Sequence, residues 1–590
     1  MKIQELALPR YISSKKNLIS SLVVVVTAGL IFSFPNFNPL VLLGHDANFH
    51  IARYAGTWRA ISDGHLIPQL DSAFYGGFGY APNLFYPPLS AYLVVLLQTV
   101  VTNWNLAINF TNIIIQVGAG LAMFAFMRRV TCSNFAGLLS ALAYMSAPYV
   151  IANGLIRFAA GEYLGLVFAP IVFLGLWKII HGESGWLLLG LATGGLLLSH
   201  NLSTGIFGLF ALLFLLAYAK TAFQVAALKQ YLFAAALAFG LSAFFLLPLL
   251  EARASADYNA FHLGFLSDIE RVQAAAVPSM LMALLPNFNP PFSWIGFLAT
   301  LALLIAPLVA GFWPHKWQKM GIVSTGLAIL SLFISSRFFP WKLMPEQLLL
   351  IQFPWRLNLI VTFFLSCLIG LVFAAPIRMK RVSKVLYRLQ SKAICIKAVI
   401  VAVVAALATI SIAMSLPYLP PRDDANVWDA HMLGVQAVWN WDYVPTRTVV
   451  ADGFFARDHN PTALTGEMSF DNFAHFGRHL SLTAKVETRG ILELPLMFYP
   501  GYRAEVDGNR VPVFESNYGF VAVDLPAGTH QVAVEFAMSP ATKVGASLTG
   551  VTLLAIAAYG ATRHSHAITV FCQFSRIQAT MTRQRPRPVP

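Results

Sequence analysis

The sequence predicts a polytopic α-helical membrane protein with a small β-rich domain ahead of its last span, on three observations. The 590 residues are 57% hydrophobic and only 11% charged, with a mean hydropathy of +0.65; soluble domains carry roughly 25% charged residues. A dozen windows are long and apolar enough to suggest helices crossing the hydrocarbon core, which takes ~20 apolar residues. One long region, 417–542, breaks the pattern: it is polar, more acidic than basic, and partly alternating.

The apolar windows fall at about 18–43, 106–127, 133–151, 162–181, 185–200, 202–219, 230–250, 292–312, 319–336, 348–376, 395–416 and 543–562. A further apolar segment, 88–103, is short. If it crossed, Arg128, Arg129 and the basic run from Arg378 to Lys397 would lie outside, against the positive-inside rule. It is therefore read as a juxtamembrane or re-entrant element, giving about twelve spans and two cytoplasmic termini. Lys15 and Lys16 precede the first apolar run and no small-residue cleavage site follows, so that run is read as an uncleaved helix.

The net charge of +14 sits in short basic segments beside apolar windows, which excludes a nucleic-acid footprint. Cys132, Cys367, Cys395 and Cys572 lie in or beside apolar windows or in the basic tail, so neither a disulfide framework nor a zinc site is expected. The chain divides into a transmembrane domain, 1–416, with its first outer loop at 44–105, and an extracytoplasmic β-rich domain, 417–542. A last helix, 543–562, and a basic cytoplasmic tail, 563–590, expected to be disordered, complete it. Val521, Val523 and Leu525, a Pro526–Gly528 turn, then Val532, Val534 and Phe536 predict a β-hairpin. Asp507-Gly508 predicts another tight turn.

With this topology, the outer loops converge on one mouth, and the polar residues that need explaining sit there. Asp46 stands at the end of the first apolar run, flanked by His45 and His50. It reads either as a helix cap or as a general base or metal ligand; His50, one helical turn on, shares its face. Arg157 and Glu162 lie between two spans, where ionisable groups are costly unless paired or facing a cavity. They read as a mutual ion pair, or as an anion contact and a second carboxylate. His200 and Asn201 end an apolar run and read as a hydrogen-bonded corner or as ligands. In Gln352-Phe353-Pro354-Trp355-Arg356 the arginine follows a helix-breaking proline inside an apolar stretch. Its guanidinium either snorkels to the interface or binds phosphate. No GxxxxGK[ST] or HExxH motif occurs, so energy for any chemistry has to come from an activated substrate.

Taken in order, these residues resemble a known pattern. Gly44-His45-Asp46 with Phe49-His50, Tyr86-Pro87-Pro88-Leu89, Arg157 with Gly161-Glu162, His200-Asn201 and Gln352 to Arg356 are similar to motifs of the GT-C glycosyltransferase superfamily. The bacterial group labelled "6-pyruvoyl-tetrahydropterin synthase-related" is the nearest in look, and Tyr499-Pro500-Gly501-Tyr502 with Leu525 to His530 resembles its outer domain. The label's pterin chemistry is rejected, since no soluble catalytic domain is evident.

The resemblance implies a GT-C-like fold and inverting transfer of a sugar from a polyprenyl-phosphate donor to an envelope glycan, lipid or protein acceptor at the outer face. It implies Asp46 as general base, His50 and Glu162 positioning the acceptor or a divalent metal, and Arg356 with Arg157 on the leaving phosphate. His45, His200, Asn201 and Gln352 complete the expected substrate-binding set. A single Asp at 46 departs from a DxD-type metal pair, so no metal or other cofactor is fixed by the sequence. The alternative is a transporter or scaffold for a lipid-linked polymer. Transporters tend to carry internal repeats and midplane charges; here the charges cluster at span ends, which favours the enzyme.

Overall fold

The structure, a computed structural model, describes residues 15–262, 268–286, 293–374, 390–426, 441–448 and 458–583; side chains at 373–396 and beyond 562 are outside the description. The basic run 378–389 and the chain end at 584–590 therefore lie outside the described residues.

Among the described residues, seven helices are long and apolar enough to cross a membrane: Trp104–Thr131, Ala160–Ile180, Val225–Ser255, His315–Ser335, Pro354–Val372, Lys397–Tyr418 and Pro540–Thr562. An eighth crossing arises if the bent pair Asn134–Met145 and Pro148–Ile156, angled by 51°, counts as one. The chain is a multi-pass membrane protein. Four of the twelve expected windows fold as shorter helices, Lys15–Phe32, Trp186–Leu197, Asn201–Ala217 and Phe297–Val309. The reason is that hydropathy does not see where a helix ends. Window 18–43 stops at Phe32 because a 3-10 turn containing Pro35 follows. Window 348–376 opens as two 3-10 turns, Glu346–Ile351 and Pro354–Leu357, and is α-helical from Asn358.

Segment 88–103 is a 13-residue helix, Leu89–Val101, about 20 Å long at 1.5 Å per residue and thus short of the ~30 Å hydrocarbon core. Asn103 caps the following helix by accepting from the Leu106 amide, 3.0 Å.

Among the described residues, besides a two-stranded pairing of Val41–Leu42 with Arg422–Asp423, the chain forms two larger antiparallel sheets before the last helix. One runs Thr462–Ala463, Gly490–Met497, Phe520–Leu525, Phe514–Glu515; the other runs Met468–Phe476, His479–Val486, Gly528–Phe536, Tyr502–Val506, Asn509–Val511. The expected hairpin is corrected here. Phe520–Leu525 pairs with Gly490–Met497 while Gly528–Phe536 pairs with His479–Val486, so the Pro526-Ala527 link passes between sheets. Alternation gives each strand its buried face but not its partner. The Asp507-Gly508 turn forms as read: Val506 opposes Asn509, and both turn residues have positive φ, 51° and 78°, as a two-residue turn of this kind needs. One apolar core joins Leu480, Leu494, Val521 and Val534 of the sheets to Phe74, Phe78 and Tyr80 of the first loop. The Met497 amide donates to the Phe78 carbonyl, 2.8 Å. Thus the first loop and the sheets form one structural body over one end of the bundle.

Candidate active site

At that end a cavity of about 850 Å³ is lined by residues from widely separated stretches, among them His45, Asp46, Tyr86, Arg157, Glu162, His200, Asn201, Gln352, Arg356 and Asp442. The convergence inferred from the sequence is therefore real for every expected site residue, His50 included.

The floor is a charge cluster built on a distorted helix. Residues 152–156 form a π-turn, and the Arg157 amide reaches back five residues to the Ala152 carbonyl, 2.8 Å. Such turns recur at functional sites because they re-aim a side chain. Here Arg157 reaches Glu162 at 3.1 Å, with the two side chains only 5% and 1% exposed. Glu162 Oε1 also accepts from Tyr149 Oη and from Asn153 Nδ2. Arg356 approaches the same carboxylate from the other side, Nε to Oε2 at 3.7 Å. Neither of those two atoms has a hydrogen-bond partner among the described residues, so the second half of the pair is an open contact between buried charges. Both arginines are also backed by aromatic faces, Arg157 by Trp355 at 4.6 Å and Arg356 by Phe353 at 5.0 Å. The ion-pair reading of Arg157 and Glu162 is correct and incomplete, because one buried carboxylate serves two guanidinium groups.

Arg356 is aimed by backbone strain. Gln352 holds φ 58°, ψ −49°, and the Phe353 amide closes on the Ile351 carbonyl at 2.6 Å, a γ-turn of the strained kind. A non-glycine residue there costs about 1–3 kcal/mol. The turn brings Gln352 Oε1 and the Ile351 carbonyl onto Arg356 Nη1, at 2.7 and 3.0 Å. Phe158, next to Arg157, is likewise at positive φ, 59°. Strain flanks both site arginines.

Asp46 faces this floor. It holds the N-cap position of helix Ala47–Ser62 yet makes no side-chain cap bond, so the capping explanation fails and its carboxylate stays toward the cavity. Burial raises its pKa above the ordinary carboxylate value, against the pull of Arg157 and Arg356. Glycines set the distances. A Cβ on Gly44 would stand 2.5 Å from the Ile156 carbonyl oxygen, and one on Gly161 2.5 Å from that of Ser199 and 2.6 Å from the Tyr86 hydroxyl.

His50 lines the cavity but is 1% exposed, ringed by Phe49, Tyr86 and Phe158 at 5.1, 5.4 and 6.1 Å between centroids. Burial, with Arg53 beside it, pushes its pKa well below the ordinary histidine value, so the ring is neutral. His200 is the hydrogen-bonded corner: its Nδ1 accepts from the Ser203 amide, 3.2 Å, and caps helix Asn201–Ala217. An Nδ1 that accepts carries no proton, which puts the neutral ring's N–H on Nε2. Asn201 Nδ2 donates to the Phe85 carbonyl, 3.1 Å. His45 is exposed at the rim.

The residue sequence reasoning missed is Asp442. It comes from turn Trp441–Tyr443, clamped where Asn259 donates to the Trp441 carbonyl, 2.9 Å, and Tyr499 to the Tyr443 carbonyl, 3.0 Å. Burial first, and the negative field of Asp46 second, push its pKa up to about 6, with Arg356 opposing. The signal was an acidic residue between two aromatics, Trp441-Asp442-Tyr443. Among the described residues no group of three or more His, Cys, Asp or Glu could hold a metal ion. Glu162 in particular does not suit a cation, since two guanidinium groups already crowd it.

No family model matches the chain. It is 26% identical over 337 residues to an uncharacterized protein of Lactococcus lactis subsp. cremoris (strain MG1363), covering 54% of each. Among solved structures it is similar to the Archaeoglobus fulgidus oligosaccharyltransferase (16% identity, TM-score 0.45, 72% of this chain and 60% of that one). It is also similar to the mycobacterial arabinofuranosyltransferase AftD (14%, 0.41, 68% and 27%) and to ArnT from Cupriavidus metallidurans bound to undecaprenyl phosphate (14%, 0.28, 59% and 76%). The chain thus spans about half of the curated relative and 60% of the oligosaccharyltransferase.

Proposed function

We propose that the protein is a membrane glycosyltransferase of GT-C type, moving a sugar from a polyprenyl-phosphate donor to an envelope acceptor at the outer face of a bacterial inner membrane. The observation that carries this reading is the pairing of an uncapped, cavity-facing Asp46 with two buried arginines that share one counter-ion. Arg157 and Arg356 face Glu162 and the Asp46 carboxylate across one cavity, so when Asp46 takes up a proton one buried positive charge loses its counter-ion and calls for an anion. A donor phosphate meets that need, and guanidinium suits it in geometry.

In this mechanism Asp46 accepts the proton of the acceptor hydroxyl as that oxygen bonds to the anomeric carbon. The bond from that carbon to the phosphate oxygen breaks, and its electron pair leaves on the phosphate, where Arg356 and Arg157 meet the growing charge. Attack and departure on opposite sides invert the anomeric centre. The strained Gln352 turn holds Arg356 ready, so little reorganisation is needed during reaction. His200 Nε2–H, Asn201 and His45 bind sugar or acceptor hydroxyls, while His50 keeps Tyr86 and Phe49 in place. Leu350 and Phe353, cavity-lining residues that are 39% and 38% exposed, offer an apolar edge for the polyprenyl chain.

The test is turnover by purified protein on a panel of polyprenyl-phosphate sugars, read as release of free polyprenyl phosphate. Release by the wild type, lost in Asp46→Asn with donor binding retained, supports the reading. Donor binding without release across donors and acceptors overturns it in favour of transport or scaffolding.

A further inference from the structure

A second concavity lies at the other end of the bundle. Leu18 and Leu22 of the first helix, Leu121 and Phe124 of Trp104–Thr131, and Leu174 and Leu188 line an apolar crevice of about 570 Å³. Its polar end carries Arg128, Arg129, Lys178 and Glu183. One helix fixes its depth: Glu162 stands in the first turn of Ala160–Ile180 and Lys178 in the last, about 24 Å apart at 1.5 Å per residue. The crevice is therefore most of a bilayer's thickness away from the catalytic cavity.

Three cations face one carboxylate there. Arg129 pairs with Glu183. Arg128 spends its Nε on Asn134 Oδ1, 2.8 Å, and its Nη groups have no hydrogen bond among the described residues. The same holds for the Lys178 ammonium. The wall between these charges and the bilayer is apolar, and the first helix turns Ile19 and Val23 outward, 59% and 57% exposed, as a lipid-facing helix does. An apolar crevice beside a helix with outward apolar side chains, ending in two cations that have no counter-ion among the described residues, fits a ligand with a hydrocarbon tail and an anionic head, and basic pockets between spans hold such headgroups.

We infer that this crevice binds one anionic membrane phospholipid, its acyl chain along Leu22, Leu121 and Phe124 and its phosphate between Arg128 and Lys178. The site is separate from the proposed donor site in place and in residues, and it stands whether or not the protein transfers sugar. Its occupancy ties the first helix to the Ala160–Ile180 helix that carries Glu162.

The experiment is native mass spectrometry of the full chain titrated with phosphatidylglycerol or phosphatidylcholine of identical acyl chains. One phosphatidylglycerol should be retained at least tenfold more tightly than phosphatidylcholine, and the double variant Arg128→Gln, Lys178→Gln should lose that preference. Diazirine-acyl phosphatidylglycerol on the wild type gives a check that needs no variant: label should appear on peptides containing residues 18–22, 121–128 or 174–188. Equal retention of both lipids, or label elsewhere only, overturns the site. Preferential, Arg128-dependent retention of polyprenyl phosphate over phosphatidylglycerol would replace the proposed occupant by the carrier lipid.

Discussion

The Asp46 amide donates to the Arg157 carbonyl at 2.9 Å. This bond joins the end of the first apolar run to the π-turn between two later helices, so Asp46 and Arg157 share one backbone anchor. Gly44 makes the approach feasible, as its α-carbon lies over the backbone of residues 156–158. Gly44→Ala should push the loop off that backbone and move Asp46 by several tenths of an ångström or more. A misplacement near 1 Å costs on the order of 10²-fold in rate. The expected result is a loss of that order in kcat with donor affinity nearly unchanged, measured by steady-state turnover and direct donor binding.

Asp46→Asn keeps the shape of the side chain and removes the proton acceptor. General bases contribute typically 10²–10⁴-fold, so turnover should fall by that range. Because Asp46 makes no cap bond, thermal stability should hardly change. A large fall in melting temperature together with lost activity would instead mean that the carboxylate is structural.

Glu162 and Arg356 should separate stability from catalysis. Glu162→Gln leaves two buried guanidinium groups without a counter-ion, and breaking a buried pair by removing one partner costs about 3–5 kcal/mol. The variant should melt well below the wild type in detergent. Arg356→Lys keeps the charge but loses the planar fork; it should melt within a few degrees of wild type yet weaken donor phosphate binding and slow turnover at least tenfold. If both variants melt alike and both bind donor normally, the cluster has no phosphate role.

What the sequence made legible follows from contrast. In a chain with 11% charged residues, Arg157, Glu162 and Arg356 stand out because each is expensive in an apolar run. Asp442 did not, since an acid in a polar domain carries no such contrast; only the fold shows that its turn is carried into the cavity. Tyr149 and Asn153 were hidden inside an apolar window although both hold Glu162. His50 had the right spacing from Asp46, but spacing could not reveal the aromatic ring that closes around it. The first loop's packing on the sheets was equally out of reach, because pairing between residues 400 apart leaves no local pattern.

Asp442 makes a prediction about pH. Its carboxyl sits at about 6 in the folded chain and near 3.9 unfolded, so the folded state binds its proton more tightly. Between those values the native state carries more protons than the unfolded state, and stability therefore falls as pH rises from about 4 to 6 and is flat above. Two pKa units correspond to roughly 3 kcal/mol at most, less for a side chain only partly shielded from water. Melting curves from pH 4 to 8 should show the wild type losing stability over that window relative to Asp442→Asn, which lacks the titrating group and should be the more stable of the two at pH 7. Turnover should run the other way at the acid end. The Asp46 carboxyl must be ionised to accept a proton, and burial raises its pKa, so kcat should drop as pH falls at a point above the ordinary carboxylate range. That acid limb should survive in Asp442→Asn at nearly the same pH, because the charge on Asp46 raises Asp442 and not the reverse: Asp46 gives up its proton while Asp442 is still neutral. A limb that moves to lower pH would show instead that Asp442 is ionised beside Asp46 in the working cavity.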